Sequence, residues 1–201
     1  ATLRNAPPTL PLANRGFDAP TVEGAIAGWT ASNQVGTRFE LDKAEKYQGE
    51  SSAHLASNGP ILSVFSAPLE TPVTGRFAVS VWLRVSDPAN QPPLRLAIEG
   101  VLEGGQYYRH APVGHGERIP KIRDRWTQFV FQVHDLPAGG LSQLRVRFDL
   151  MGPGEVWLDD VQCFDLLFKR DELIELSKLI TLAGVKLQNN EVADCQRILE
   201  G

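Results

Sequence analysis

The chain of 201 residues carries a formal charge of −4 at pH 7, with its basic and acidic residues interspersed. That length accommodates one large domain, or a domain of about 150 residues with an appendage. The absence of a basic block argues against nucleic acid as a partner, and no apolar run approaches the roughly 20 residues that span a bilayer.

The opening "ATLRNAPPTLPLANRGF" lacks the apolar core of a signal peptide and begins at Ala rather than Met, so the chain reads as a mature secreted product or a segment of something longer. From about Asn14 to Phe164, apolar residues recur at every second position between clusters of Gly, Pro, Asn and Asp, the mark of half-buried strands. In "FAVSVWLRV", Phe77, Val79, Val81, Leu83 and Val85 share one face, while Ala78, Ser80, Trp82 and Arg84 share the other. Leu94, Leu96 and Ile98 oppose Arg95 and Glu99 in the same way. Farther on, Phe129, Phe131 and Val133 oppose Gln128 and Gln132, and Leu144, Val146, Phe148 and Leu150 oppose Arg145, Arg147 and Asp149. Strands with one greasy and one polar face predict a mainly β fold of two packed antiparallel sheets.

Between these strands, "EGGQYYRHAPVGHGE" from Glu103 to Glu117 reads either as a binding loop or as a long hairpin whose tyrosines cover the sandwich edge. After Asp165 the pattern changes: the remainder contains no Pro, and Leu173, Leu176, Ile180 and Leu187 would share a helical stripe, with a break expected near Gly184. A second helix is predicted from about Asn190, whose side chain would cap it. The division is therefore a β domain over residues 12–165 and a helical hairpin over 166–201, which stops in mid-pattern and has too little core to stand alone.

"GEVWLDDVQCFD", Gly154 to Asp165, places two adjacent carboxylates in a run that otherwise reads as a buried strand. A buried carboxylate needs a partner: a metal ion, a basic side chain, or solvent at a sheet edge. Strict alternation puts Asp159 on the face of Val161 and Cys163, pointing inward, and Asp160 on the other face. Cys163 and Cys195 are the only cysteines and show no CxxC spacing; they could pair if the chain is exported.

A succession of motifs resembles a known family. "LANRGFD", the "GW" of Gly28 and Trp29, "YQGESSAHL", "FAVSVWLR", "DRWTQFVFQVHDLP" and "LRVRFDLMGPGEVWLDDVQC" occur in the order seen in the carbohydrate-binding modules that accompany xylanases and glucanases. The resemblance covers about three quarters of the chain and implies a galactose-binding-like jelly roll. It also implies a structural calcium tying the first strand to the last. Its ligands would be Asp18, carbonyls of the loop from Tyr47 to Glu50, and Asp159 or Asp160; calcium suits such a mixture of oxygens. The implied role is non-catalytic binding of a polysaccharide or oligosaccharide within a larger secreted or cell-surface bacterial protein.

No nucleophile motif, HExxH or P-loop is present, so no catalytic residue and no enzymatic activity are expected. Asp149 and Glu99 could face each other, but the arginines on their face point to salt bridges rather than to a glycosidase pair. His110 and His115 share one Gly-rich segment but lack further zinc ligands. Sugar recognition combines an aromatic ring with polar forks. The predicted carbohydrate-binding residues are accordingly Trp82, Arg84, Arg95, Glu99, Tyr107, Tyr108, Arg147 and Asp149. A face so rich in Arg and Asp also suits an acidic sugar, or burial beneath the helices. The alternative function is therefore a protein-interaction or assembly domain whose helical tail packs on a partner chain or a neighbouring domain.

Overall fold

The computed structural model describes residues 9–200 apart from Asn33, Val73, Ala138, Leu167 and Lys169, and Arg170 by its backbone alone. The strands in chain order are β1 (Thr9–Leu10), β2 (Thr21–Val22), β3 (Ala25–Ile26), β4 (Trp29–Ala31), β5 (Thr37–Asp42), β6 (Ser52–Ser57), β7 (Leu62–Ser66), β8 (Phe77–Arg84), β9 (Pro93–Leu102), β10 (Gly105–Gly114), β11 (Thr127–Val133), β12 (Ser142–Leu150) and β13 (Gly154–Phe164). They form a six-stranded sheet in the order β11-β8-β13-β6-β5, with β1 added to β13, and a five-stranded sheet in the order β10-β9-β12-β7-β4. All pairings are antiparallel, and β2 and β3 make a separate small hairpin. The fold is mainly β, a two-sheet sandwich, as the alternation predicts.

The apolar faces meet between the sheets. Leu55, Val81, Leu83 and Leu158 from one sheet and Val64, Ile98, Leu144 and Phe148 from the other are all completely buried, in one continuous core. Each such side chain stabilises the fold by roughly 1.5 to 3 kcal/mol before entropy is charged. Trp29 on β4 packs between Phe17 and Phe148, with ring centroids 5.0 and 5.9 Å away, and its indole N–H donates to the Asn14 carbonyl.

Strand alternation correctly separates inner from outer residues, but it cannot tell which sheet a strand joins. Successive strands cross between sheets: β8 and β11 are neighbours in the six-stranded sheet, whereas β9, β10 and β12 lie in the five-stranded one. The polar residues read as one face therefore occupy the outer faces of two different sheets.

A second departure lies in β13. Its pairing with β8 shifts between Asp159 and Gln162, and Asp160 adopts a φ of 43°. This bulge resets the alternation. Asp159 pairs with Trp82 and so lies on the outer face of the sheet, while Val161 and Cys163 are core residues. The inward placement of Asp159 beside those two residues is thus overturned.

The chain divides into two compact units, the second beginning at Leu167. Within it, α1 (Arg170–Gln188) runs through Gly184 without the expected break, followed by α2 (Val192–Glu200). Asn190 has a φ of 65° and donates its backbone N–H to Leu187, while the Glu191 N–H reaches back to Lys186. These bonds close α1 with a left-handed residue. Asn190 therefore ends the first helix instead of capping the second, whose first bond runs from the Cys195 N–H to the Glu191 carbonyl. Ala183 and Cys195 are buried, and Lys186 pairs with Glu191 and Asp194. Cys163 and Cys195 are free thiols. Burial pushes the Cys163 thiol up to about 12, which leaves it unreactive at neutral pH. Among the described residues no helix is long and apolar enough to cross a membrane.

Candidate functional site

The outer face of the five-stranded sheet holds five of the predicted sugar-binding residues: Arg95, Glu99, Tyr108, Arg147 and Asp149. Register explains the grouping. Tyr108 on β10 pairs with Glu99 on β9, which pairs with Arg145 on β12; Arg147 pairs with Ala97 and with Phe65 on β7, and Asp149 with Arg95 and Ser63.

Arg147 organises this face. Its Nη1 donates to Glu99 Oε2 at 2.9 Å, its Nε to Asp149 Oδ1 at 2.7 Å and its Nη2 to Ser63 Oγ at 3.2 Å. The guanidinium lies 5.0 Å from the Phe65 ring centroid and 5.6 Å from that of Tyr108. Burial lowers the Arg147 pKa, but the bonds to Asp149 and Glu99 outweigh it and leave the group above its ordinary value. Asp149 is buried and fully engaged, accepting also from Ser63 Oγ at 2.6 Å and from the Tyr108 hydroxyl at 3.2 Å. A carboxylate so committed orients its neighbours. The Tyr108 and His110 rings are 5.5 Å apart on the same face. The result is a firmly held strip of aromatic rings and charged forks, with both kinds of contact that a sugar ring and its hydroxyls use.

Three predicted residues lie elsewhere. The segment from Gly105 to Gly114 is β10, an edge strand in a hairpin with β9, and its alternation turns Tyr107 to the opposite side from Tyr108. Tyr107 is buried in the core and its hydroxyl donates to Asp135 Oδ1 at 3.1 Å. Burial, with the nearby Asp135 charge, pushes its phenol up to about 12. It is a packing residue. Trp82 and Arg84 are on β8, in the other sheet. Trp82 is stacked under Tyr47 at 3.8 Å between ring centroids. Arg84 pairs with Glu45, donates to the Asp124 carbonyl and lies over Trp157. Conversely, the sequence reading passed over Phe65 and Ser63, although "LSVFS" carries the same alternation: Leu62 and Val64 enter the core, while Ser63 and Phe65 pair with neighbours on the outer face.

Of the three proposed metal residues, Asp18 and Asp159 come together. Asp18 lies close enough to Asp159 for its charge to act on it, and both grip the loop that follows β5. Asp18 Oδ1 accepts the backbone N–H groups of Glu50 at 2.5 Å and Ser51 at 3.3 Å. Asp159 Oδ2 accepts those of Tyr47 at 2.8 Å and Gln48 at 3.1 Å, and its Oδ1 accepts that of Asp160 at 2.7 Å. Burial raises the Asp159 pKa, the amides oppose it, Asp18 adds to it, and the net shift is upward. These carboxylate oxygens thus face N–H dipoles whose positive ends point where a cation would stand. As arranged, the residues do not fit a calcium ion, which takes six to eight oxygen ligands. Among the described residues, no three His, Cys, Asp or Glu side chains gather to hold a metal. Asp160 accepts from Gln162 Nε2 through one oxygen, while the other is buried without a hydrogen-bond partner.

The sandwich is one that carbohydrate-binding modules share. The chain matches the CBM22-1 xylan-binding domain of Xyn10C from Paenibacillus barcinonensis with a TM-score of 0.52 and 15% identity, covering 79% of this chain and 95% of that one. It matches the C-terminal family 22 carbohydrate-binding module of Xyn10B from Clostridium thermocellum with a TM-score of 0.51 and 18% identity, over 77% and 98% of the two chains. An arabinose-bound α-L-arabinofuranosidase matches with a TM-score of 0.53 and 14% identity, over 78% of this chain but 26% of that one, so the fold also occurs as one part of an enzyme. No family model matches the chain. No curated protein matches it in sequence.

Proposed function

We propose that this chain is a non-catalytic carbohydrate-binding domain of a larger secreted or cell-surface protein, and that it takes a polysaccharide or oligosaccharide on the outer face of the five-stranded sheet. The observation that carries the reading is the strip formed by Tyr108, Phe65 and Arg147, with Glu99 and Asp149 holding the guanidinium in place. The rings supply apolar surface for a pyranose, and the forks supply fixed hydrogen-bonding groups at little cost in side-chain entropy. The likeness of the sandwich to solved carbohydrate-binding modules supports it at the level of the fold.

Affinity electrophoresis against xylan, glucans, pectin and sulfated polysaccharides tests the reading. Retardation by at least one glycan, weakened about fivefold in Tyr108→Ala, is the expected result, since an aromatic contact is worth about 1 kcal/mol. Trp82→Ala should leave it unchanged. Retardation by none would abandon the reading.

A second reading has its own support in the helical unit. Ile174, Leu179, Ile180, Leu182, Val185 and Leu187 are each close to half exposed or more. Helices this apolar over so much of their surface fit an assembly role. A defined oligomer that dissociates on Leu182→Glu would support that role; a monomer would exclude self-assembly.

A further inference from the structure

Arg145 sits at the end of the same face, yet it is bonded quite differently from Arg147. Its cross-strand neighbour Glu99 is committed to Arg147, and among the described residues no carboxylate lies within ion-pair distance of Arg145. The Nε of Arg145 is shielded from solvent without a hydrogen-bond partner, and Nη2 has only a long contact of 3.4 Å to Gln143 Oε1. A guanidinium normally finds planar acceptors for its fork, and leaving a shielded N–H unmade is costly. This cation lacks its counterpart.

Beside it lies an open pocket of about 410 Å³. The pocket runs along the β2–β3 hairpin and the ends of β4 and β7, with Val22, Ala25, Ile26, Thr30, Ala67 and Pro68 among its walls. Among the described residues, Arg145 is the only charged one lining it. An apolar chamber of this size with one fixed polar group is the usual construction of a small-ligand subsite. A group that completes it is an anion able to accept from the Nη groups of Arg145, attached to a body with an apolar face. A uronic acid unit is such a group: its carboxylate matches the guanidinium fork, and its pyranose ring matches the walls. A neutral pentose or hexose offers no anion.

We infer that Arg145 is a specificity residue that selects a uronate unit of an acidic polysaccharide, with the pyranose seated in the pocket beside β2 and β3. This deepens the carbohydrate-binding reading and rests on it. Arg145 touches the ligand carboxylate directly, whereas Arg147, already neutralised by two carboxylates, holds the sheet face in shape.

The test is titration calorimetry of the full chain with an oligogalacturonide, its fully methyl-esterified form and a neutral xylo-oligosaccharide, for the wild type, Arg145→Gln and Arg145→Lys. Unchanged melting midpoints would confirm that the variants fold. The expected result is a preference of about tenfold or more for the free acid over its ester. Arg145→Gln should abolish that preference and Arg145→Lys should retain part of it, the loss of affinity falling on the free acid more than on the neutral ligand. Equal affinity for acid and ester, or a preference that survives Arg145→Gln, overturns the inference while leaving carbohydrate binding intact. Binding of none of the three by the wild type overturns the inference, and the carbohydrate-binding reading falls with it if the glucans and sulfated polysaccharides also fail to retard the chain. Retardation by sulfated glycans equal to that by uronates, lost in Arg145→Gln, would show an unspecific anion site and also overturn the assignment to a uronate.

Discussion

Asp159 receives three backbone N–H groups while buried beside a second carboxylate, so its removal and its titration have separate consequences. Asp159→Ala leaves those donors without their acceptor and should cost about 3 kcal/mol in urea unfolding. Asp160→Asn should stay within about 1 kcal/mol of the wild type, because Asn tolerates the left-handed conformation and removes a buried charge with an unbonded oxygen. The amide clamp predicts the same melting midpoint in excess calcium and in chelator; a shift of several degrees would place calcium at Asp18 and Asp159. As to pH, the native Asp159 carboxyl titrates above its ordinary range, so the folded state holds the proton more tightly than the unfolded chain. Its contribution to stability is therefore greatest below the ordinary Asp value and is lost as pH rises through the raised native value. The stability difference between wild type and Asp159→Ala should shrink over that rise; a growing difference would contradict the assignment. The sequence showed that these aspartates needed a partner. Strict alternation counted back from Val161 turned Asp159 inward; the bulge shows in the sequence only as core residues Leu158 and Val161 standing three apart instead of two.

The element that binds the clamp together is the loop from Asp42 to Ser51, with Gly49 at its centre. Gly49 has a φ of 69°, and a Cβ there would overlap the Asp18 carboxylate. Gly49→Ala should destabilise the domain by about 2 kcal/mol through strain and loss of the Asp18 bonds, read as a lowered thermal midpoint. Among the strands, the inner and outer residues of β8, β9, β11 and β12 were legible because the core demands a period of two. Membership of a sheet was not, because it depends on connections that pass between layers. That is why Trp82 and Arg84 on β8 were grouped with Arg147 on β12, four strands further along the chain and in the other sheet. Of the two readings of the segment around Tyr107 and Tyr108, the long hairpin is the one formed; its glycines and Pro112 left a loop equally open, and an edge strand tolerates both. The helical pair was legible from its period, although Asn190 is placed by its backbone preference and not by its side chain.

Across the whole molecule, a net charge of −4 coexists with a sheet face on which Arg95, Arg145 and Arg147 meet only Glu99 and Asp149. An acidic glycan is therefore attracted locally and repelled at longer range. Its affinity should fall severalfold between low salt and about 0.5 M, while that for a neutral glycan should hardly change; equal salt dependence in titration calorimetry would count against electrostatic selection. The order in which the molecule assembles is constrained as well. The bonds from Tyr47 and Gln48 to Asp159 span 112 and 111 residues of sequence, and β13 sits in the middle of its sheet, between β8 and β6. The strand made last is central: the β11–β8 and β6–β5 pairs can each form without it but are joined into one sheet only when it arrives, and closing loops of that length is slow. The amide clamp then forms on the native side of the folding barrier. Weakening it should leave the refolding rate almost unchanged and show itself as faster unfolding, so that the clamp acts chiefly as a latch on the lifetime of the folded chain.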